Sequence, residues 1–332
     1  MRKLKIAQIG IGHDHALAIL ESIRKHPDIF EFVGLAVPES EKKDFPAKYA
    51  KTEQYNTLTV EQALDYEGLD CIAIETEELN LTKYTQMAAD RGLHIHMDKP
   101  GGIELADFER MIDTVKKNNC VLSIGYMYRY NSEVMELHRK IEAGELGEIY
   151  SIEAHMDCFH KPEKRQWLAR FPGGMLFFLG CHLIDLVYRI QGEPEEIIPL
   201  SMPTGIDGVT GQDYGMAVFK YQNGISFVKT SAIECGGFMR RQLVVSGSKG
   251  TVELHPLERY LPGTQNLVAD VYECFETAPF TVGPKHRISN PQDRYDDMMK
   301  AFAAMARGEK SNPYTPDYEL ALYKVILRAC GA

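Results

Sequence analysis

Apolar runs alternate with amphipathic stretches through the first 125 residues of the chain. The runs predict buried strands at 4–11, 31–37, 70–74, 93–97 and 120–125. The stretches between them carry apolar residues three and four positions apart, which predicts helices at 14–26, 59–66, 80–91 and 104–118. Strands that alternate with helices of this length form βαβ units. The first part of the chain is therefore predicted to be an α/β domain with a parallel sheet.

After residue 125 the strands become longer and alternate between apolar and polar positions. They are predicted at 148–157, 214–221, 225–233, 241–247 and 251–255, with helices at 131–143, 174–191, 291–307 and 316–329. Asn223-Gly224 between two such runs is a strong hairpin signal. We expect a division into domains 1–123 and 124–332, the second an α/β domain with an open, mostly antiparallel sheet. Helix 316–329 is expected to pack back on the first domain.

Composition narrows the class of protein. The 332 residues have a formal net charge of −10 without a basic cluster, which argues against nucleic acid as a partner. Apolar stretches fall short of the roughly 20 residues that a membrane helix requires, and the N-terminus lacks the apolar core of a signal peptide. The seven cysteines include no C-x-x-C pair, so we expect reduced thiols in a cytoplasmic protein.

The first strand ends in Gly10-Ile11-Gly12-His13, directly before a predicted helix. This context predicts a Rossmann phosphate loop: the first glycine makes the tight turn, the second lets the backbone approach a pyrophosphate, and the helix N-terminus supplies N–H groups. Gly10, Ile11, Gly12 and His13 are therefore predicted cofactor contacts. The third glycine of the usual fingerprint is replaced by His15.

The end of the second strand usually supplies an acid for the ribose hydroxyls of the cofactor. Val37 stands at that end and cannot accept a hydrogen bond, so Glu39 is the nearest candidate. No arginine lies beside it to bind a 2′-phosphate. The sequence therefore favours NAD, with NADP not excluded.

Several further motifs follow in a fixed order. They are Asp98-Lys99-Pro100, Gly147-Glu148-Ile149, the stretch 173–185 (GGMLFFLGCHLID) and the stretch 246–251 (SGSKGT). In these motifs the chain resembles the glucose–fructose oxidoreductase, inositol dehydrogenase and MocA (Gfo/Idh/MocA) family over nearly its whole length. The resemblance implies an NAD(P)-dependent dehydrogenase or reductase that acts on the CH–OH group of a sugar, polyol or related compound, and a homodimer or homotetramer.

Lys99 follows a parallel strand, where its side chain faces the ligand crevice and can stabilise a substrate alkoxide. Asp98, Lys99 and Thr76 are predicted to contact the cofactor. The resemblance implies that His182 is the general acid/base, since histidine titrates near neutral pH. Asp185, one turn further along the helix, would bind substrate and orient the imidazole, or pair with Arg189.

Three more residues are expected to bind substrate. Tyr128 and Arg129 follow the last strand of the first domain, and Trp167, the only tryptophan, lies in a loop rich in cationic residues. Aromatic and cationic groups suit a sugar or a carboxylated ligand.

The chain departs from the pattern of the family it resembles at functional positions. Phe178 stands where well-studied members carry an aspartate four residues before the histidine, and Leu81 replaces a frequent histidine. A non-catalytic dinucleotide or sugar sensor on the same fold is therefore the alternative. No metal site is expected, because a grouping of His13, His15 and His182 has no regular ligand spacing.

Overall fold

The computed structural model describes residues 2–275 and 283–332. Contacts divide the chain into two units, one holding residues up to Met127 together with Tyr295–Tyr323, the other holding Tyr128–Arg294 and Lys324–Ala332. The expected domain boundary at 123/124 stays a prediction. Among the described residues, no helix combines the length and apolar character needed to span a bilayer.

The sheet of the first unit confirms the predicted parallel architecture. Its strands are β1 (Leu4–Ile9), β2 (Phe30–Ala36), β3 (Thr57–Leu58), β4 (Cys71–Ile74), β5 (His94–Met97) and β6 (Leu122–Ile124). All are parallel, in the order β3-β2-β1-β4-β5-β6. The side chains of β1, β2, β4, β5 and β6 are mostly buried, which explains why apolar runs located these five strands, whereas the two-residue β3 was not predicted. The order reverses between β1 and β4, where ligands of open α/β sheets bind beyond the carboxyl ends of the strands.

The second unit contains a mixed sheet. Its strands are β7 (Ile149–His155), β8 (Glu196–Pro199), β9 (Tyr214–Tyr221), β10 (Gly224–Ser231), β11 (Gln242–Gly247), β12 (Gly250–Leu254), β13 (Arg259–Tyr260), β14 (Leu267–Val268), β15 (Asp270–Cys274) and β16 (Lys285–Ile288). Eight of these form the order β16-β15-β12-β11-β7-β10-β9-β8, while β13 and β14 pair separately. Only the β7–β10 pair is parallel among the described strands of this sheet. The mostly antiparallel sheet is thus confirmed.

The helices are α1 (Ala16–Lys25), α2 (Glu39–Asp44), α3 (Pro46–Tyr49), α4 (Val60–Leu64), α5 (Leu81–Ala89), α6 (Leu105–Lys117), α7 (Ser132–Glu142), α8 (Pro162–Trp167), α9 (Cys181–Gln191), α10 (Asp296–Ala306) and α11 (Pro316–Ala329). Helix α4 begins with a capping box between Thr59 and Gln62. The contact-based division cuts α11 after Tyr323. Short helices α2, α3 and α8 were not predicted, because their sequences lack an apolar stripe.

Two predicted helices differ from the structure at their starts. The one predicted at 291–307 begins only at Asp296, because Leu267 and Gln292 exchange backbone hydrogen bonds and hold the preceding segment extended. The one predicted at 174–191 opens with a π-helical segment, Leu176–Gly180, before α9. Gly174 before it has φ +52°, and an added Cβ would lie 2.2 Å from a backbone oxygen of Gln212. Only glycine fits this entry to the helix.

Candidate active site

The carboxyl edge of the first sheet brings together the residues that follow β1, β4 and β5. Gly10 follows β1 with φ +92°, and an added Cβ there would lie 2.5–2.6 Å from Thr76. Gly10 therefore packs directly against Thr76, and a residue with a Cβ would not fit at position 10. Their contacts with a cofactor stay predictions.

The N–H groups of the predicted phosphate loop are bonded to a carboxylate of the chain itself. Glu41 Oε2 accepts hydrogen bonds from Ile11 N at 2.7 Å and Gly12 N at 2.9 Å, and Glu41 Oε1 accepts one from Glu77 N at 2.7 Å. Glu41 is 2% exposed. We call these three N–H groups, of Ile11, Gly12 and Glu77, the anion cradle. Its occupant in this structure is Glu41.

The surroundings of the cradle reinforce this arrangement. An added Cβ on Gly12 would lie 2.5 Å from Glu77 N and 2.6 Å from Glu41 Oε1, so only glycine leaves room for that backbone and for the carboxylate. Lys48 Nζ donates to the carbonyl oxygens of Gly12 and His13 at 2.9 and 2.8 Å. Burial raises the pKa of Glu41, although the backbone N–H groups oppose that shift.

The predicted ribose contact lies elsewhere. Glu39 begins the same short helix as Glu41, but its side chain is 81% exposed and pairs with Lys42. Val37 is buried and apolar. Sequence reasoning missed Glu41 because the helix Glu39–Asp44 carries charged residues on every side and has no apolar face that would mark an inward position.

Two histidines of the loop converge on the acid that follows β5. Asp98 Oδ2 lies 2.9 Å from His13 Nδ1 and 3.2 Å from His15 Nδ1. His13 and Asp98 are fully buried, whereas the His15 side chain is 15% exposed. One ligand atom from each of the three residues lies within 4.8 Å of the others. We call these residues the His–Asp cluster; the sequence had considered His182 rather than Asp98 as the partner of the two loop histidines.

Titration within the His–Asp cluster is strongly perturbed. Burial lowers the pKa of His13 to about 4, although Asp98 favours its protonated form. Burial opposes ionisation of Asp98, but His13 and His15 hold its pKa well below the ordinary value. At neutral pH the carboxylate is therefore charged and the His13 ring is neutral.

More buried acids and imidazoles surround the His–Asp cluster. Glu75, directly after β4, is fully buried, and its Oε1 lies 3.6 Å from His96 Nε2. Burial and the charge of Asp98 raise the pKa of Glu75 well above its ordinary value. Glu78 Oε1 lies 3.5 Å from His13 Nε2. The sequence signal for these positions was only their place beyond the strand ends.

Lys99 lies next to this group. Its side chain is 1% exposed, Asp98 Oδ1 accepts a hydrogen bond from its backbone N–H at 2.7 Å, and the peptide bond to Pro100 is cis. Its positive charge contributes to lowering the pKa of His13. The predicted catalytic lysine is thus a buried cation beside the His–Asp cluster.

The second unit holds the predicted histidine. His182 is 1% exposed on α9, and its ring meets that of Tyr128 edge to face at 5.6 Å. The Tyr128 hydroxyl donates to Glu258 Oε1 at 2.7 Å. Glu258 is buried between Arg241 and Arg294 and was not foreseen. Tyr128 is therefore a structural partner of a buried charge network as well as a neighbour of His182.

Asp185 pairs with Arg129, which was not among the partners predicted for it. Arg129 Nε and Nη2 donate to Asp185 Oδ1 at 2.9 and 2.7 Å, and both residues are buried. A bidentate guanidinium–carboxylate pair is stronger than the helical contact with Arg189 that the sequence suggested. Contacts of Arg129 and Asp185 with substrate stay predictions.

Phe178 lies in an aromatic group. The Trp167 ring meets that of Phe178 at 5.4 Å and that of Phe171 at 4.6 Å, and Lys164 Nζ lies 4.5 Å from the Phe178 centroid. Phe178 and Trp167 thus pack as one hydrophobic wall with a cation over it. The role of Trp167 in binding substrate stays a prediction.

Comparison with known proteins identifies the class. Residues 4–126 match the model of an oxidoreductase family with an NAD-binding Rossmann fold, and residues 134–253 match the GFO/IDH/MocA C-terminal domain. Both domains of one family are therefore matched in order and over most of the chain. The chain belongs to the Gfo/Idh/MocA family of oxidoreductases, as its motifs had indicated.

Two relatives and one solved structure show the extent of the similarity. The chain is 24% identical over 260 residues to an uncharacterized oxidoreductase of Schizosaccharomyces pombe, covering 76% of this chain and 70% of the relative. It is 21% identical over 254 residues to myo-inositol 2-dehydrogenase of Thermotoga maritima, covering 75% and 74%. Among solved structures, KijD10, a 3-ketoreductase from Actinomadura kijaniata in complex with NADP, superposes with a TM-score of 0.79 at 15% identity, covering 98% of this chain and 96% of that one. These similarities establish the fold.

Proposed function

We propose that this chain acts on a hydroxyl-bearing carbon of a sugar, polyol or related compound, and that Lys99 holds the reacting oxygen. The observation that carries the proposal is the burial of the Lys99 ammonium beyond the carboxyl end of β5. A buried, pre-positioned cation stabilises negative charge that develops on a substrate oxygen far better than a solvated one. The family membership and the inositol dehydrogenase relative support a polyol-like substrate.

His182 is the proposed group that moves the hydroxyl proton. Its ring is buried and held against Tyr128, which limits its orientation. An imidazole both accepts and returns a proton near neutral pH. Its pairing with Lys99 on one substrate comes from the family resemblance. Asp185 positions α9 through its pair with Arg129.

The hydride acceptor predicted from the sequence is NAD(P), which would take the hydride from the carbinol carbon when bound. The residues of this structure do not fit that group as they stand. Glu41 occupies the anion cradle, Glu39 pairs with Lys42 at the surface, and Val37 offers no hydrogen bond to a ribose. A dinucleotide could bind here only by displacing Glu41.

A second candidate function follows from the occupied cradle. With Glu41 in the anion cradle, the chain would be a dinucleotide-independent enzyme of the same fold. Lys99 and His182 would then perform proton transfer on an oxygen-bearing carbon without net oxidation. Glu41 is the specific observation in its favour, because a buried carboxylate with three N–H donors already satisfies the groups that a pyrophosphate would use.

One experiment tests both candidates. Polyols, aldoses and keto sugars are incubated with the protein, with and without NAD(P), while nicotinamide absorbance and the NMR spectrum of the sugar are followed. We expect Lys99→Ala and His182→Asn each to lower kcat/KM by at least about 100-fold, since positioned acid–base groups contribute roughly 10²–10⁴-fold. Lys140→Ala and His138→Asn, which alter a lysine and a histidine outside the candidate site, are the matched controls.

The outcomes separate the alternatives. Turnover that requires added NAD(P) supports the hydride reaction, and turnover without it supports the dinucleotide-independent form. Wild-type turnover in Lys99→Ala would refute the proposed role of the lysine. Sugar binding without any conversion would favour the non-catalytic sensor.

A further inference from the structure

We propose that the His–Asp cluster binds a divalent transition-metal ion. Ligand atoms of His13, His15 and Asp98 lie within 4.8 Å of one another, and both Nδ1 atoms approach the same carboxylate oxygen. Two imidazoles and one carboxylate form a donor set suited to Zn²⁺, Mn²⁺, Fe²⁺ or Co²⁺ and leave further positions for water or substrate.

The hydrogen bonds inside the cluster point to the same conclusion. The backbone N–H of His15 donates to His13 Nδ1 at 3.2 Å, so the lone pair of that nitrogen faces an incoming hydrogen. The same nitrogen lies 2.9 Å from Asp98 Oδ2, which is also an acceptor. A neutral imidazole nitrogen cannot accept from an N–H and donate to a carboxylate at once. A cation bound to both Nδ1 and Oδ2 would use a lone pair of each atom, so no proton would be needed between them, and the weak contact from the His15 N–H would be given up.

The surroundings of His13 are an independent observation. Its Nε2 atom is buried without a hydrogen-bond partner among the described residues, and Glu78 Oε1 lies 3.5 Å from it. A histidine that binds a metal through one ring nitrogen usually directs its other N–H to a carboxylate, which fixes the orientation of the ring. With Nδ1 facing the ion, Glu78 is placed to orient His13 in this way.

The position of the cluster gives the ion a function. His13 and His15 come from the loop after β1, Asp98 follows β5, and Lys99 is the next residue. An ion there would polarise the substrate oxygen that Lys99 is proposed to hold, which is Lewis-acid assistance; this last step rests on the proposed function. The ion itself does not, because its ligands are defined without reference to a substrate.

Metal binding is measured directly. Protein freed of metal by a chelator is titrated with Zn²⁺, Mn²⁺ and Co²⁺ alone in a calorimeter, and the visible absorption of the Co²⁺ form reports the coordination number. We expect one ion per chain, and we expect His15→Ala to weaken its binding by at least about tenfold. The matched control is His26→Ala, because His26 also lies beside a carboxylate, that of Asp296, with its side chain 16% exposed against 15% for His15.

Two results would overturn the proposal. One is that wild-type protein binds none of the three ions. The other is that His15→Ala and the control His26→Ala both bind the ions as tightly as wild type does. Asp98→Asn adds a second ligand variant, with circular dichroism to check that it folds. The titration contains no substrate, so its result does not depend on the proposed function. A chain that binds metal in the titration but converts no sugar in the turnover assay would refute the proposed function and leave the metal site supported.

Discussion

Replacing Glu41 by alanine removes the carboxylate from the anion cradle and leaves the backbone N–H groups of Ile11, Gly12 and Glu77 facing the vacated space. Since Glu41 is 2% exposed, its loss opens a buried volume rather than a surface position. We expect the variant to be less stable than wild type and to bind anions that wild type does not. Phosphate, sulfate and the pyrophosphate of NAD(P)H are the anions to test.

The structure sets the size of the stability change. Three hydrogen bonds to a charged acceptor at 2.7–2.9 Å are lost, and each contributes about 1.5–3 kcal/mol. Two effects reduce the total. Burial raises the pKa of Glu41, which shows that the folded chain disfavours its charged form, and water can enter the vacated space to satisfy the donors. We therefore expect a net loss of roughly 2–4 kcal/mol in the free energy of unfolding.

The assay is urea unfolding with and without phosphate, together with NADH titration followed by fluorescence. Phosphate should restore part of the stability of Glu41→Ala and have little effect on wild type, because a ligand that binds only the folded state stabilises it. Glu39→Ala, on the same helix but 81% exposed, is the matched control. If Glu41→Ala keeps wild-type stability and gains no affinity for phosphate or NADH, the carboxylate does not fill an anion site.

Three further changes probe the second unit. Asp185→Ala leaves the buried Arg129 guanidinium without its bidentate partner and should cost about 3–5 kcal/mol in urea unfolding; a loss below about 1 kcal/mol would contradict this. Burial opposes ionisation of Glu258, but the neighbouring arginines lower its pKa below the ordinary value of 4.5. The ionised carboxylate therefore stabilises the fold above pH 4.5, and this contribution is lost as the pH falls through the lower folded-state pKa. Glu258→Gln should flatten this acid dependence of the unfolding free energy, and an unchanged dependence would refute the prediction. Gly174→Ala should destabilise by more than about 2 kcal/mol, against about 1 for Gly236→Ala, which shares a positive φ but has open space around its Cβ. Equal melting temperatures would refute steric exclusion.

The sequence was most informative where burial produces a simple hydrophobic pattern. Strands β1, β2, β4, β5 and β6 of the first unit are mostly buried and are marked by clustered apolar residues. Elements without that property were missed: β3 has two residues, and the helix Glu39–Asp44 consists of polar and charged residues around its circumference. Glu41 belongs to that helix, and its position follows from the approach of three backbone segments rather than from any local pattern.

In the candidate site, the sequence identified individual residues but not the partners that they contact in the fold. Each of His13, His15 and Asp98 was noted from the sequence, but their convergence depends on the strand order that places the ends of β1 and β5 on either side of β4. Asp185 was considered as a partner of Arg189 because they are one helical turn apart. Arg129, 56 positions away, takes the carboxylate instead with a fork of two N–H groups. Local spacing cannot rank such a long-range partner.

The glycines of the loop therefore carry less information about a cofactor than their spacing indicates. Gly10 is required by its packing on Thr76, and Gly12 by the approach of the Glu77 backbone and the Glu41 carboxylate, so both positions exclude a Cβ without any dinucleotide. The third position of the fingerprint holds His15, which contacts Asp98. In this loop, packing within the chain is enough to require the two glycines, while the side chains of His13 and His15 belong to the His–Asp cluster. The discriminating positions are Glu41 and His15, because one fills the anion cradle and the other supplies a ligand to the His–Asp cluster. If wild type binds Zn²⁺ and not NADH while Glu41→Ala gains affinity for NADH, the same loop has exchanged a dinucleotide for a metal ion.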